Sequence, residues 1–149
     1  MKSKTMIATT SAIAVAALAA AAPAMAENWT VFSNSDQTAY LIDVDTVAVT
    51  EGQAVARIAR VPRQGDAADQ RHETEEVEVR CADQTSRSGL TVSYGPDGAE
   101  TDRYTEEMPW ERARQGTIYA EVVSYVCDGM RPAGASAPTI AAFVAAGRK

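Results

Sequence analysis

Two cysteines, Cys81 and Cys127, are the only ones in the 149 residues, and they lie 46 positions apart. Cys81 ends a run of alternating apolar residues, and Cys127 ends a second apolar run that starts at Ile118. A redox-active pair needs close spacing such as Cys-x-x-Cys, which this sequence lacks. In an exported chain the two cysteines predict one structural disulfide that ties a C-terminal element onto a sheet. Loop-closure entropy gives such a bridge roughly 4 kcal/mol of stabilisation.

The first 26 residues have the layout of a secretory signal peptide. Two lysines provide a positive start, an alanine-rich apolar run extends from Met6 to Ala22, and Ala24-Met25-Ala26 offers small residues before a cut. An uncleaved membrane anchor is the alternative, but the run is short of the roughly 20 strongly apolar residues that span a bilayer. No cysteine near the cut could carry a lipid anchor. We expect cleavage after Ala26, a periplasmic or secreted location, and no membrane insertion of the mature chain.

The predicted mature chain is acidic. It contains twelve basic and twenty acidic residues, which gives a net charge of about −8. A chain of roughly 120 residues forms one domain with one core. Nucleic acid and anionic membranes are disfavoured as partners because both repel an acidic protein, which leaves basic proteins or cations.

Short runs of alternating apolar and polar residues predict several antiparallel strands. We expect a break in the second run at Asp43-Val44-Asp45 and a tight turn at Gly95-Pro96-Asp97-Gly98. Residues 62–70 and 82–88 are expected to be loops, and 101–108 is a more highly charged strand candidate. The clearest strand candidates are residues 29–33, 38–43, 46–50, 53–61, 71–81 and 90–94. The pattern indicates a mainly-β or α+β domain, with a sandwich or barrel as alternatives.

The stretch Thr117–Gly129 fits two structures. It is rich in strand-forming residues, yet Glu121, Ser124 and Asp128 would form one polar stripe on a helix. Thr117 suits a helix start and Gly129 suits the position after a helix end. Residues 130–149 contain two prolines and a glycine before an alanine-rich segment, so we expect a loose tail in which Thr139–Ala146 could form a short helix.

Few residues suggest catalysis or metal binding. His72 is the only histidine, and it is expected to be a solvated surface residue. The acidic pairs Asp43/Asp45 and Glu76/Glu78 could bind a cation or share a proton, but ordinary turn and surface roles are favoured. Trp29 and Trp110 are expected in the core. The arginines between Arg57 and Arg80 are interleaved with acidic residues, which favours mixed-charge solvated strands over a basic patch. We therefore predict no catalytic, metal or cofactor residues.

The order and spacing of several features resemble the surface-adhesin protein E-like domain of bacterial envelopes. The resemblance extends from Trp29 to Cys127 and rests on these two residues together with Tyr40-Leu41-Ile42-Asp43, Thr46-Val47, Cys81, Leu90–Tyr94, Gly98, Trp110 and Gly116-Thr117. It implies an α+β, mainly-β fold: an antiparallel sheet of about six strands with a C-terminal helix packed on it and tethered by one disulfide. It thereby favours the helix over Thr117–Asp128 and places the domain at residues 27–129. Only Cys81 and Cys127 are carried over as functional residues.

The resemblance also implies a non-enzymatic role, the binding of extracellular or envelope proteins, sometimes as a homodimer. Two features depart from the family: the lipid-anchor cysteine is missing, and the tail after Cys127 is longer than the family's core requires. Two alternatives remain. One is a small periplasmic enzyme or cation-binding protein that uses Asp43 and Asp45, and the other is an envelope structural or assembly protein.

Overall fold

The computed structural model describes residues 26–149, so the predicted signal peptide, apart from its last residue Ala26, lies outside the described residues. In this part of the chain, eight strands form one antiparallel sheet in the order β6-β5-β4-β3-β2-β1-β8, with β7 paired to β5. Two helices, α1 and α2, follow β7 and β8. The strands are β1 Trp29–Asn34, β2 Thr38–Thr50, β3 Gln53–Pro62, β4 His72–Arg80, β5 Thr85–Tyr94, β6 Glu100–Thr105, β7 Glu111–Arg112 and β8 Ser136–Ala137, and the helices are α1 Ile118–Cys127 and α2 Ile140–Ala145.

The helices cover opposite faces of this sheet. Leu41 packs in a core cluster with Phe143 and Val144 of α2, whereas its neighbour Ile42 packs in a second cluster with Val122 of α1. Adjacent residues of a strand point to opposite faces, so the two clusters lie on the two sides of the sheet. The fold is therefore a helix–sheet–helix arrangement with two small apolar layers.

The long strand β2 corrects the predicted break at Asp43-Val44-Asp45. The strand runs without interruption, but its register with β3 shifts between Asp43 and Ala48. Such an irregularity bends a strand without ending it. The two turn-forming aspartates therefore coincide with an irregularity in the strand and not with a loop.

Helix α1 confirms the helical interpretation of the ambiguous stretch. The Thr117 hydroxyl accepts a hydrogen bond from the backbone N–H of Ala120, at 3.4 Å, and so caps the start. After the helix, Gly129 has a φ of +65°, a left-handed conformation that glycine adopts without strain. The helix buries Val122 and Val123 against the sheet. Valine has a low intrinsic helix propensity, but burial of the apolar side of the helix against the sheet outweighs this preference.

The segment after Gly129 corrects the expectation of a loose tail. Ser136 and Ala137 form β8 and pair with β1, and α2 confirms the suggested short helix. Phe143 and Val144 are almost fully buried with Trp29 on the sheet face opposite α1. A six-residue helix is marginal alone, and its stability here comes from this packing. The prolines and the glycine before α2 suggested irregular structure, although this segment adds a strand and a helix to the fold.

The fold class is confirmed as a mainly-β domain with a C-terminal helix fastened by a disulfide, but the sheet has eight strands instead of about six. The additional β7 and β8 contain two residues each, too few for any periodicity to show. Strand β5 also begins at Thr85, so part of the loop predicted over residues 82–88 is strand. Its serines and Gly89 weaken the strand signal there.

Candidate binding surface

The disulfide joins Cys81, just after β4, to Cys127 at the end of α1. The sulfur atoms are 2.03 Å apart and the Cα atoms 5.4 Å apart. Cys127 packs at the edge of the core cluster beneath α1, whereas Cys81 lies in an exposed turn. In the sequence Cys81 continues the alternation of Val77 and Val79, but it lies outside the strand. The strand ends at Arg80, and the alternation ends with it.

A buried carboxylate anchors the other end of α1. Glu75 of β4 is 2% exposed and pairs with the guanidinium of Arg60, while the Tyr119 hydroxyl donates to it at 3.0 Å. Burial and the neighbouring Glu75 charge raise the pKa of Tyr119. Burial alone would lower the pKa of Arg60, but the attraction of Glu75 raises it. Arg60 and Tyr119 thus keep their protons, and their donor roles, at neutral pH. The sequence pattern had placed Glu75 among surface charges and missed this network.

The acidic pair Asp43/Asp45 has a structural role. Asp43 is fully buried, and its two oxygens accept hydrogen bonds from the Asn28 backbone, at 3.3 Å, and from the Thr46 hydroxyl, at 2.8 Å. Asp45 accepts from the Asn28 amide at 2.9 Å. Both aspartates therefore fix the irregular part of β2, in agreement with the favoured turn role. In residues 26–149 no group of three or more acidic, cysteine or histidine side chains has the geometry of a metal site.

His72 is half-buried, which corrects the expectation of a solvated residue. Its ring stacks on Tyr94, with ring centres 4.2 Å apart and an angle of 8° between the planes. Nδ1 lies 2.7 Å from the Gln70 carbonyl oxygen, so it donates this hydrogen bond. Burial lowers the pKa of His72, although the Gln70 hydrogen bond opposes the shift. The ring is therefore a neutral part of a polar cleft at this end of the sheet.

Only one of the two tryptophans lies in the core. Trp29 is 1% exposed and belongs to the core, as predicted. Trp110 belongs to neither core cluster and is only half-buried, which corrects the prediction. The guanidinium groups of Arg80 and Arg87 lie 3.8 Å and 4.6 Å from its ring centre. Cation–π contacts therefore hold this side chain at the surface.

Three of the five arginines from Arg57 to Arg80 pair with carboxylates. Arg57 pairs with Glu27, Arg60 with Glu75, and Arg71 with Asp69. These pairs agree with the mixed charge of the strands, but Glu75 is 2% exposed, which corrects the expectation that the strands are solvated throughout. The charges of these three arginines are therefore balanced locally.

Strand β6 provides an acidic, open edge. It is the last strand on its side of the sheet, and all six of its residues are exposed. Residues 100–107 contain four carboxylates and one guanidinium, a net charge of −3. Arg103 is already paired with Glu100 at 2.7 Å. Among the described residues, no strand pairs with the outer side of β6, whose backbone groups are therefore available to an added strand.

Exposed apolar groups and a cavity adjoin this edge. Tyr104 and Met108 are 43% and 42% exposed. Strands β6 and β7 pair with different parts of β5, and the residues between them pass over a cavity of about 360 Å³. Its lining includes the apolar groups of Met108, Pro109 and Ile118 and the charged side chains of Arg87, Glu111, Arg112 and Arg114. An open edge with an adjacent side-chain pocket is the geometry that recognises extended peptide segments.

The described residues thus define a mainly-β sheet domain with a helix fastened by a disulfide and an open sheet edge. A model of the surface-adhesin protein E family matches residues 29–128, and the chain belongs to this family. The match confirms the resemblance noted from the sequence. No curated protein and no solved structure matches the chain with significant similarity.

Family membership makes this chain an adhesin-like protein of the surface or secreted type. Neither helix in residues 26–149 is long and apolar enough to cross a membrane. The site prediction in the sequence, the pair Cys81 and Cys127, forms the bridge that holds α1 on the sheet. The open edge was not predicted, because strand order is a property of the tertiary structure.

Proposed function

We propose that this protein is an exported, non-enzymatic protein-binding domain of a bacterial envelope and that its partner adds a strand to β6. The observation that carries the proposal is the fully exposed outer edge of Glu100–Thr105 in a member of an adhesin family. Backbone hydrogen bonds from the added strand supply affinity. The exposed side chains of Tyr104 and Met108 supply side-chain specificity.

The charge of the edge selects the kind of partner. Four carboxylates against one guanidinium in residues 100–107 attract an extended segment rich in lysine and arginine. The same charge opposes a homodimer through this edge, because two copies would bring two segments of charge −3 together. The partner is therefore a basic segment of a matrix, serum or envelope protein. A second copy of the chain is an alternative outcome of the test.

The periplasmic or secreted location and the cleaved signal peptide belong to the same proposal. The disulfide of Cys81 and Cys127 supports export, because such bridges persist in oxidising compartments. An acidic mature chain also fits a role that excludes nucleic acid and anionic lipid. An envelope assembly role would use the same edge on one fixed native partner.

The test is binding of the disulfide-intact protein to a panel of purified matrix, serum and envelope proteins. The informative variant is Glu106→Lys/Glu107→Lys, which changes the edge charge from −3 to about +1 without removing the Arg103–Glu100 pair. The matched control is Asp36→Lys/Glu51→Lys, which makes the same change of net charge in exposed turns away from β6. We expect at least one basic partner whose affinity falls about tenfold in the first variant only. Binding by no protein, or an equal loss in both variants, would overturn the proposal.

A further inference from the structure

A second candidate site lies at the end of the sheet where β2 and β4 begin and β3 and β5 end. A cleft of about 620 Å³ opens there, lined by side chains that include Arg60, Glu73, Tyr94, Gln37 and Gln64. This volume lies within the range of clefts that hold small organic ligands. The cleft is separate from the open edge of β6, and none of the residues assigned to protein binding lines it.

The charges around this cleft argue against an anionic ligand. Its two guanidinium groups already have carboxylate partners, since Arg60 pairs with Glu75 and Arg71 with Asp69. Glu73 adds a further carboxylate, which accepts only a long hydrogen bond of 3.3 Å from Ser93 among the described residues. These five groups carry a net charge of −1. A phosphate or carboxylate would therefore meet more negative than positive charge.

The hydrogen-bonding groups favour a ligand with hydroxyl groups. In residues 26–149, Arg60 uses only one of its terminal nitrogens for hydrogen bonds, to Glu75 and Tyr119, and its remaining N–H groups have no protein acceptor. A guanidinium can only donate, whereas the Glu73 carboxylate can only accept. A hydroxyl can do both, so neighbouring hydroxyls on one ring can accept from Arg60 and donate to Glu73. The Gln37 and Gln64 amides add one donor group and one acceptor each.

An aromatic pair supplies the apolar part of the cleft. His72 and Tyr94 both line it and stack with an angle of 8° between their rings. The Gln70 carbonyl fixes the His72 ring, which limits the entropy that a ligand would have to overcome. Flat apolar rings beside polar groups suit a sugar, whose ring has C–H groups on its faces and hydroxyls at its rim.

One wall of the cleft is held in place from the far end of the chain. Gln64 and Arg71 belong to the loop between β3 and β4, and the buried Arg148 donates to the Asp66 and Asp69 carbonyl oxygens of that loop at 2.9 Å and 2.5 Å. The guanidinium also passes so close to Gly65 that a Cβ there would lie 2.5 Å from it. The loop is therefore ordered before a ligand arrives, as preorganised binding requires.

We propose that this cleft binds a neutral saccharide unit, with one ring of the stacked His72–Tyr94 pair against one face of the sugar and with Arg60 and Glu73 at its hydroxyls. The first test is a glycan array probed with the disulfide-intact protein, followed by titration of cellobiose, maltose, lactose and di-N-acetylchitobiose monitored by amide chemical shifts. We expect binding of at least one neutral glycan, with the largest shifts at residues of the cleft.

The variants Glu73→Gln and Tyr94→Ala are expected to weaken this binding at least tenfold. The matched control is Tyr104→Ala, which removes an exposed tyrosine of β6 outside the cleft and should leave glycan binding unchanged. Gln37→Ala, an exposed change at the rim, gives a second cleft variant should Tyr94→Ala fail to fold. The proposal would be overturned if the protein bound no neutral glycan or preferred sulfated glycans. It would also be overturned if Tyr104→Ala weakened glycan binding as much as the cleft variants do. The Glu106→Lys/Glu107→Lys variant should retain glycan binding, which separates this site from the protein-binding edge.

Discussion

The Tyr119 hydroxyl of α1 lies 3.0 Å from Oε1 of Glu75 on β4, which is 44 positions earlier in the chain. The disulfide fastens the other end of the same helix, at Cys127. The helix is therefore held to the sheet near both of its ends, by a charge-assisted hydrogen bond at its start and a covalent bond at its finish. This attachment encloses the cavity beside β6, because Ile118 and Tyr119 form part of its lining.

The first prediction concerns the hydrogen bond between Tyr119 and Glu75. Tyr119→Phe should lower the free energy of unfolding by about 1–2 kcal/mol, since a hydrogen bond to a charged acceptor is lost and a buried carboxylate keeps fewer partners. Urea unfolding measures the change. Tyr104→Phe removes the hydroxyl of an exposed tyrosine and should be neutral. Equal effects of the two substitutions would show that the network does not anchor α1.

The second prediction concerns the disulfide. Cys81→Ala/Cys127→Ala should reduce the free energy of unfolding by roughly 4 kcal/mol, because the unfolded chain gains the freedom of a 46-residue loop. Denaturant unfolding under oxidising conditions compares this variant with the native protein. Reduction of the native protein by a thiol should reproduce the loss. A native protein that keeps its full stability after reduction would contradict the assigned role of the bridge.

The third prediction concerns the segment after Gly129. Phe143→Ala should cost about 3–5 kcal/mol, because a large side chain that is 2% exposed leaves a cavity beside Trp29 and Leu41. Thermal or urea unfolding reads out the change. Ala141→Ser, at an exposed position of the same helix, should cost less than about 1 kcal/mol. A small effect at Phe143 would mean that α2 does not stabilise the domain.

The fourth prediction is a pH dependence that arises from His72. Burial lowers its pKa in the folded protein below the usual value of 6.5, so the unfolded chain takes up the proton first as the pH falls. The stability linked to His72 is therefore complete above about pH 6.5 and is lost as the pH decreases through the folded-state pKa. His72→Phe keeps an aromatic ring against Tyr94 and should show a smaller loss of stability between pH 7 and pH 5. Parallel pH profiles of the two proteins would contradict the burial of His72.

The sequence allowed the class of fold to be predicted because its strongest signals are local. Alternation around Val77 and Val79 identified β4, and Thr117 with Gly129 bounded the helix once the family resemblance favoured it. Features that depend on distant partners were not predictable. From the sequence, Glu75 resembles a surface charge, but in the fold it is buried and contacts Arg60 and Tyr119. Phe143 belongs to a segment that was expected to be loose, but in the fold it packs on β1 and β2.

The candidate binding surface was less predictable than the fold for the same reason. The sequence of residues 100–107 predicts only a highly charged strand. No local feature of this sequence indicates that the strand lies at the edge of the sheet. Trp110 appeared to be a core residue because the stacking of Arg80 and Arg87 on its ring cannot be inferred from spacing. Functional edges are thus found by strand order, which the tertiary structure alone supplies.

The measurement that tests the proposed function most directly is amide hydrogen exchange of the protein alone and bound to a basic partner identified in the binding panel. We predict that exchange slows in Glu100–Thr105, because a partner strand forms hydrogen bonds with the open edge, while the central strands β3 and β4 keep their protection. Unchanged exchange in β6 with new protection on another surface, in a complex of saturating occupancy, would contradict strand addition at this edge.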